Sequence, residues 1–232
     1  MVTDLTNSSP AQPLVFIPRQ GKPQQLFVLL HGENAVPGQL FPLADAIKSR
    51  FPQAVVFMPC VAHGEAAQHA ALLGHLVEQV RHLQKHYQLS GQQTALAGFS
   101  NGASLALEAS HARHDLAGRV LAFSGVYREL PQTVPPATLF HFFHGEDDTH
   151  VSVEQARLSI EHLADREGDA TLDIAATLGH EMHPALIEQA MVRLTTCVPL
   201  RSWEEALASL NNPSRNTDRG VLAPIPPDRT VH

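Results

Sequence analysis

Short apolar runs alternate along this chain with longer segments of helical period, and that alternation constrains the fold more than any other feature. Leu26–Leu30, Ala54–Met58, Thr94–Ala97, Val120–Phe123, Thr138–Phe143 and Thr171–Ala176 read as strands. Most are nearly continuous apolar stretches, the pattern of strands buried on both faces of a parallel sheet. Leu14–Ile17, closed by Pro18, adds a candidate edge strand. Between the strands, Leu40–Phe51, Ala70–Tyr87, Gly102–Ala112, Ser152–Glu167 and Pro184–Thr196 carry helical spacing, and Pro184 suits a first helical position, where its missing N–H costs nothing. The expected class is α/β, a single mostly parallel sheet with helices on both faces. A length of 232 residues fits one large domain. We place it at residues 1–210, with a short helix holding Trp203 near its end. Residues 211–232, rich in Pro, Asn, Ser and Arg without apolar period, read as a disordered tail. No internal repeat is visible.

Composition excludes several partners. The formal charge is −7, and the 16 cationic side chains form no basic run and no basic amphipathic helix, so nothing is arranged to neutralise nucleic-acid phosphates or anionic lipid. Met1–Gln12 lacks the basic start and apolar stretch of a secretory signal, and runs such as Leu26–Leu30 are too short to span a bilayer. A cytoplasmic protein without integral membrane association is the expectation. Cys60 and Cys197, far apart in sequence, read as buried thiols rather than a disulfide. Histidine is abundant, at 15 residues, which raises the question of a metal.

Chemistry concentrates at Thr94–Gly102, T-A-L-A-G-F-S-N-G, where a strand runs into G-x-S-x-G and then into a helix of small residues. That is the context of a nucleophile elbow, a sharp turn that lifts the Ser100 hydroxyl above the sheet. Gly98 and Gly102 leave room for strand and helix to approach, and Ala103, Ala106 and Ala109 repeat on the helix face turned to the sheet.

A serine hydroxyl needs a base, and the base needs an orienting acid; with this elbow the chain order is Ser, acid, His. After the strand Thr138–Phe143 comes His144-Gly145-Glu146-Asp147-Asp148, and after Thr171–Ala176 comes Leu178-Gly179-His180. Both loops open on the sheet edge that carries Ser100, because parallel strands present their C-terminal ends together. His180 is the candidate base, while Glu146, Asp147 and Asp148 compete as the acid. For the oxyanion, the loop Leu30-His31-Gly32-Glu33 offers a backbone N–H beside that of Asn101, with the Glu33 carboxylate expected to point away. His31, Gly32, Gly98 and Gly102 support the site.

These residues resemble the phospholipase/carboxylesterase family of α/β hydrolases, relatives of the acyl-protein thioesterases. The resemblance runs from Leu26 to Leu207. It rests on L-L-H-G at Leu29–Gly32, G-F-S-N-G at Gly98–Gly102, H-G-E-D-D at His144–Asp148 and T-L-D-I-A-A-T-L-G-H at Thr171–His180. It implies an α/β-hydrolase fold, ester hydrolysis without a cofactor, Asp148 as the acid, His180 as the base, and oxyanion donors at Glu33 and Asn101. Its members most like this chain also continue past the last core helix with a segment resembling Val198–Leu207. Three departures stand out. The family's usual H-G-x-G-D loop is His31-Gly32-Glu33-Asn34-Ala35 here, without its flexible glycine and bracing acid. Asn101 replaces the usual Gln. The stretch Pro59–His69 is short and lacks the aromatic residues common among relatives. A more open site for small or short-chain acyl esters is the expected consequence.

Histidine spacing argues against a metal site. His75, His82 and His86 lie near one helix face but have no converging carboxylate, and His180-Glu181-Met182-His183 is one residue short of a zincin motif. The pairs His111/His114 and His141/His144 stand alone. No metal is expected. His180 is taken as the base, His31 and His144 as loop braces, and the other twelve histidines as surface residues. An acyl-thioesterase or lysophospholipase is the alternative enzyme, and a non-catalytic binding module the alternative of another class. A homodimer through the C-terminal segment stays open.

Overall fold

The computed structural model describes residues 12–61 and 66–196, with residues 66–68 described by backbone alone. In chain order the elements are β1 (Leu14–Phe16), β2 (Gln25–Leu30), α1 (Phe41–Arg50), β3 (Ala54–Met58), α2 (Ala66–Tyr87), β4 (Thr94–Phe99), α3 (Asn101–Ala112), β5 (Arg119–Phe123), β6 (Leu139–Gly145), α4 (Val153–Ala164), β7 (Asp169–Ala175) and α5 (Pro184–Thr196). The strands form one 7-stranded sheet in the order β1-β3-β2-β4-β5-β6-β7. All neighbours are parallel except β1, which runs antiparallel to β3 with Val15 opposite Phe57. The expected class is therefore the observed one. Pro18 follows the short β1 closely, as suits a strand with an unpaired edge.

Strand periodicity decides which side each residue faces. Leu26, Val28 and Leu30 of β2, Val120 and Ala122 of β5, and Phe140 and Phe142 of β6 pack with α2, α3 and α4 through Leu76, Val80, Ala103, Leu107 and Leu163. Their neighbours Phe27, Leu29, Leu121, Phe123 and Phe143 face the other way, onto Leu43 and Ile47 of α1 and Leu186 and Ile187 of α5. Phe123, Phe140, Phe142 and Phe143 are all fully buried, and the rings of Phe123 and Phe143 stack at 4.7 Å between centroids. Truncating one of them to Ala is expected to cost about 3–5 kcal/mol. This core holds β4, β5, β6 and β7 side by side, so the loops that follow them open along a single sheet edge.

Two expectations are corrected here. Cys60 is exposed, because it lies two residues past the end of β3, where the chain has left the sheet. His141 is not a surface residue: it is 1% exposed, in the middle of β6. Strand alternation turns it into the core, and its Nδ1 lies 2.8 Å from Thr171 Oγ1 on the neighbouring β7. Cys197, the helix around Trp203, the segment Val198–Leu207 and the tail from residue 211 lie outside the described residues. Among the described residues no helix is long and apolar enough to cross a membrane.

Candidate active site

Ser100 joins β4 directly to α3 and takes φ 54° and ψ −124°, a conformation that costs roughly 1–3 kcal/mol for a residue with a Cβ. Its surroundings hold it there. Its N–H donates to Phe123 O of β5 at 2.9 Å, and its carbonyl accepts from Ala103 N–H at 2.9 Å. The flanking glycines allow the close approach: a Cβ at Gly102 would lie 2.1 Å from Leu30 O, and one at Gly98 would lie 2.3 Å from the Gly102 carbonyl. Ala103, Ala106 and Ala109 are fully buried, so α3 lies tight on the sheet.

The loops carrying the candidate acid and the candidate base are laced together before their side chains meet. Glu146 N–H donates to Ala175 O and Asp147 N–H to Leu178 O, both at 2.9 Å. Glu146 and Asp147 are exposed, whereas Asp148 is buried. Asp148 Oδ2 lies 2.8 Å from His180 Nδ1, and because an ionised carboxylate only accepts, the imidazole proton sits on Nδ1 and donates. Asp148 Oδ1 accepts from the N–H groups of His150 and Val151 at 2.9 and 3.0 Å. Burial pushes the Asp148 carboxyl upward, but the Val151 N–H, the His180 side chain and the His150 N–H outweigh it and hold the group below the ordinary carboxylate value. Behind it, the buried His144 donates from Nε2 to Val151 O at 2.7 Å, which fixes the turn after Asp148.

His180 is held on two sides. Its ring lies 4.9 Å from the Phe99 ring, the residue before Ser100, and 4.8 Å from the ring of His150. Phe99 thereby brings the candidate base next to the elbow. Among the described residues no hydrogen bond joins Ser100 Oγ to His180 Nε2, and in unliganded hydrolases such contacts are often long and tighten when substrate binds.

Around the second candidate donor, the loop after β2 is built differently from its sequence. His31 is buried; its Nε2 accepts from Val61 N–H at 2.9 Å, so the proton lies on Nδ1, which donates to Gly32 O at 2.9 Å. Asn34, where the family usually has glycine, takes φ 56°, a left-handed conformation that asparagine tolerates better than most residues. In place of the family's bracing acid, Gln39 Oε1 accepts from Gly32 N–H at 2.8 Å. The Asn101 amide donates to Glu33 Oε2 at 2.7 Å, tying the two candidate donor residues together by their side chains. Among the described residues neither the Glu33 N–H nor the Asn101 N–H donates to another protein group.

Sequence reasoning missed Gln39 and His150. Gln39 lies seven residues beyond Gly32 in a 3-10 turn, Pro37–Leu40, with no pattern to announce it. His150 reads as one more surface histidine, although it stands only two residues after the candidate acid. The trio Asp148, His150 and His180 each offer a ligand atom within 4.8 Å of the others, so ligand-bearing side chains converge at this site rather than on α2. On α2, His82 and His86 lie 6.5 Å apart between ring centroids, and among the described residues no third ligand joins them.

Comparison with known proteins gives this geometry a context. A family described as phospholipase/carboxylesterase matches residues 62–198. Esterase YpfH of Escherichia coli K12 is 32% identical over 204 residues, covering 80% of this chain and 88% of that protein. The crystal structure of esterase PE8 superposes with a TM-score of 0.70 at 22% identity, over 81% of this chain and 99% of that one. The Bacillus cereus carboxylesterase does so with a TM-score of 0.67 at 17% identity, over 80% and 93%. The two structures speak for the fold, and the sequence matches decide the family: the chain belongs to the phospholipase/carboxylesterase family of α/β hydrolases.

Proposed function

We propose that this protein is a serine carboxylesterase that hydrolyses small or short-chain acyl esters through an acyl-enzyme. The observation that carries the reading is the Asp148–His180 hydrogen bond of 2.8 Å beside a serine held in a strained elbow. With the proton fixed on Nδ1, His180 Nε2 presents a lone pair. It takes the Ser100 proton as Oγ attacks the ester carbonyl, and the carbonyl oxygen becomes an oxyanion received by the N–H groups of Glu33 and Asn101. Each such donor is worth a few kcal/mol in the transition state, roughly 3. As the tetrahedral species collapses, the carbon–oxygen bond to the leaving alcohol breaks, and His180 hands that alcohol its proton. Water then repeats the sequence on the Ser100 acyl ester and releases the carboxylic acid. Asp148 stays ionised throughout, holding the tautomer and stabilising the imidazolium.

The preference for short acyl chains rests on Pro59–His69, which offers no aromatic residue to line a long acyl groove. The test is a series of p-nitrophenyl esters from acetyl to dodecanoyl. kcat/KM is expected to peak at short chains and to vanish throughout in Ser100→Ala. A steady rise toward dodecanoyl would overturn the chain-length reading, and full turnover by Ser100→Ala would overturn the mechanism.

A further inference from the structure

The side chains gathered on the base have a chemistry the hydrolytic cycle does not use. His180 Nδ1–H donates to Asp148 Oδ2 at 2.8 Å, which leaves Nε2 as an unprotonated imidazole nitrogen backed by a carboxylate. That is the carboxylate–histidine arrangement which orients metal-binding imidazoles and raises their basicity. His150 stacks on this ring at 4.8 Å with 29° between the planes, is exposed, and makes no ring-nitrogen hydrogen bond among the described residues. Its backbone is already anchored, because its N–H donates to Asp148 Oδ1 at 2.9 Å. One ligand atom from each of the three residues lies within 4.8 Å of the others.

We propose that His150 and His180 form a site for a borderline divalent cation, Zn2+ in the first place, with Asp148 behind them, and that occupation of this site switches the enzyme off. Zn–N bonds of about 2.0–2.1 Å place two ligand nitrogens of a tetrahedral ion roughly 3.3 Å apart, so binding requires the exposed His150 side chain to turn a ring nitrogen toward His180 Nε2. Two imidazoles select zinc or copper over the oxygen-seeking Mg2+ and Ca2+. The remaining positions on the ion are open to water. The lone pair that binds the metal is the one that accepts the Ser100 proton, so metal and turnover exclude each other. That inhibitory consequence rests on the proposed function; the metal site itself does not.

The experiment titrates ZnCl2 into the full-length protein in chelator-free buffer, following p-nitrophenyl acetate hydrolysis and, separately, binding heat by calorimetry. Wild type is expected to bind zinc and lose activity, with EDTA restoring it and Mg2+ having no effect. His150→Phe keeps an aromatic ring against His180 but removes the ligand. Measured against its own zinc-free rate, it should need at least tenfold more zinc for half inhibition, as should His150→Gln, and both should lose the corresponding binding heat. His82→Ala, on α2, should behave as wild type. Equal zinc sensitivity in wild type and both His150 variants would overturn the site. An active wild type that neither binds zinc nor is inhibited by it would overturn the proposal and leave the esterase reading standing. An inactive wild type whose zinc heat disappears in both variants would overturn the esterase reading and leave the site.

Discussion

Lowering the pH should destabilise this fold through His141, a residue remote from the chemistry. The ring is buried in the middle of β6; its Nδ1 pairs with Thr171 Oγ1 and its Nε2 has no partner among the described residues. Burial first, then the charges of Arg119 on β5 and Arg193 on α5, lower its pKa from 6.5 to about 4, while Asp173 on β7 pulls the other way. Between those values the unfolded chain binds more protons than the folded one, so stability is lost as the pH falls below about 6.5. From pH 7 to pH 5 the loss from this one group is about 2 kcal/mol. His141→Val removes the titrating group. It also leaves the Thr171 hydroxyl unpaired and loses some packing, an offset that does not vary with pH in this range. Urea unfolding of both proteins at pH 7, 6 and 5 separates the two effects. His111, lowered to about 4 mainly by burial, contributes to both proteins and cancels in the difference. The stability gap between wild type and variant should narrow by about 2 kcal/mol from pH 7 to pH 5. Parallel stability curves would refute the reasoning.

Two further outcomes follow from the site. Asp148→Asn should lower kcat by about 10³–10⁴ by releasing the imidazole tautomer, whereas Asp147→Asn, at an exposed position, should stay within about twofold of wild type; steady-state kinetics on p-nitrophenyl acetate compare them. Gln39→Ala leaves the Gly32 N–H without its acceptor, and should cost about 1 kcal/mol in urea unfolding and about tenfold in kcat with KM little changed.

The architecture was legible because it depends on one-dimensional patterns. Apolar runs marked every strand, and their near-continuity in β2 and β6 marked burial on both faces. The elbow was legible too, since a strand, G-F-S-N-G and a small-residue helix form one contiguous signal. Bracing contacts were not. Gln39 reaches Gly32 across a turn with no sequence regularity, and Asn34 takes a left-handed conformation that no pattern announces. His141 was misread, and the contact of His150 went unseen, for the same reason. Whether an imidazole on a strand faces solvent or core depends on the neighbouring strand: at His141, Thr171 makes burial tolerable, and at His150 the partner ring arrives from a loop after β7.

The proposed mechanism requires Ser100 to become acylated. Rapid mixing of the protein with p-nitrophenyl acetate, followed by acid quench and peptide mass spectrometry, observes that step directly. The mechanism predicts that the acetyl group appears on the peptide containing Ser100 at up to one per chain, fails to form in Ser100→Ala, and forms far more slowly in His180→Ala. Ester cleavage at the wild-type rate with the acetyl group on another residue, or with Ser100→Ala as active as wild type, would contradict it.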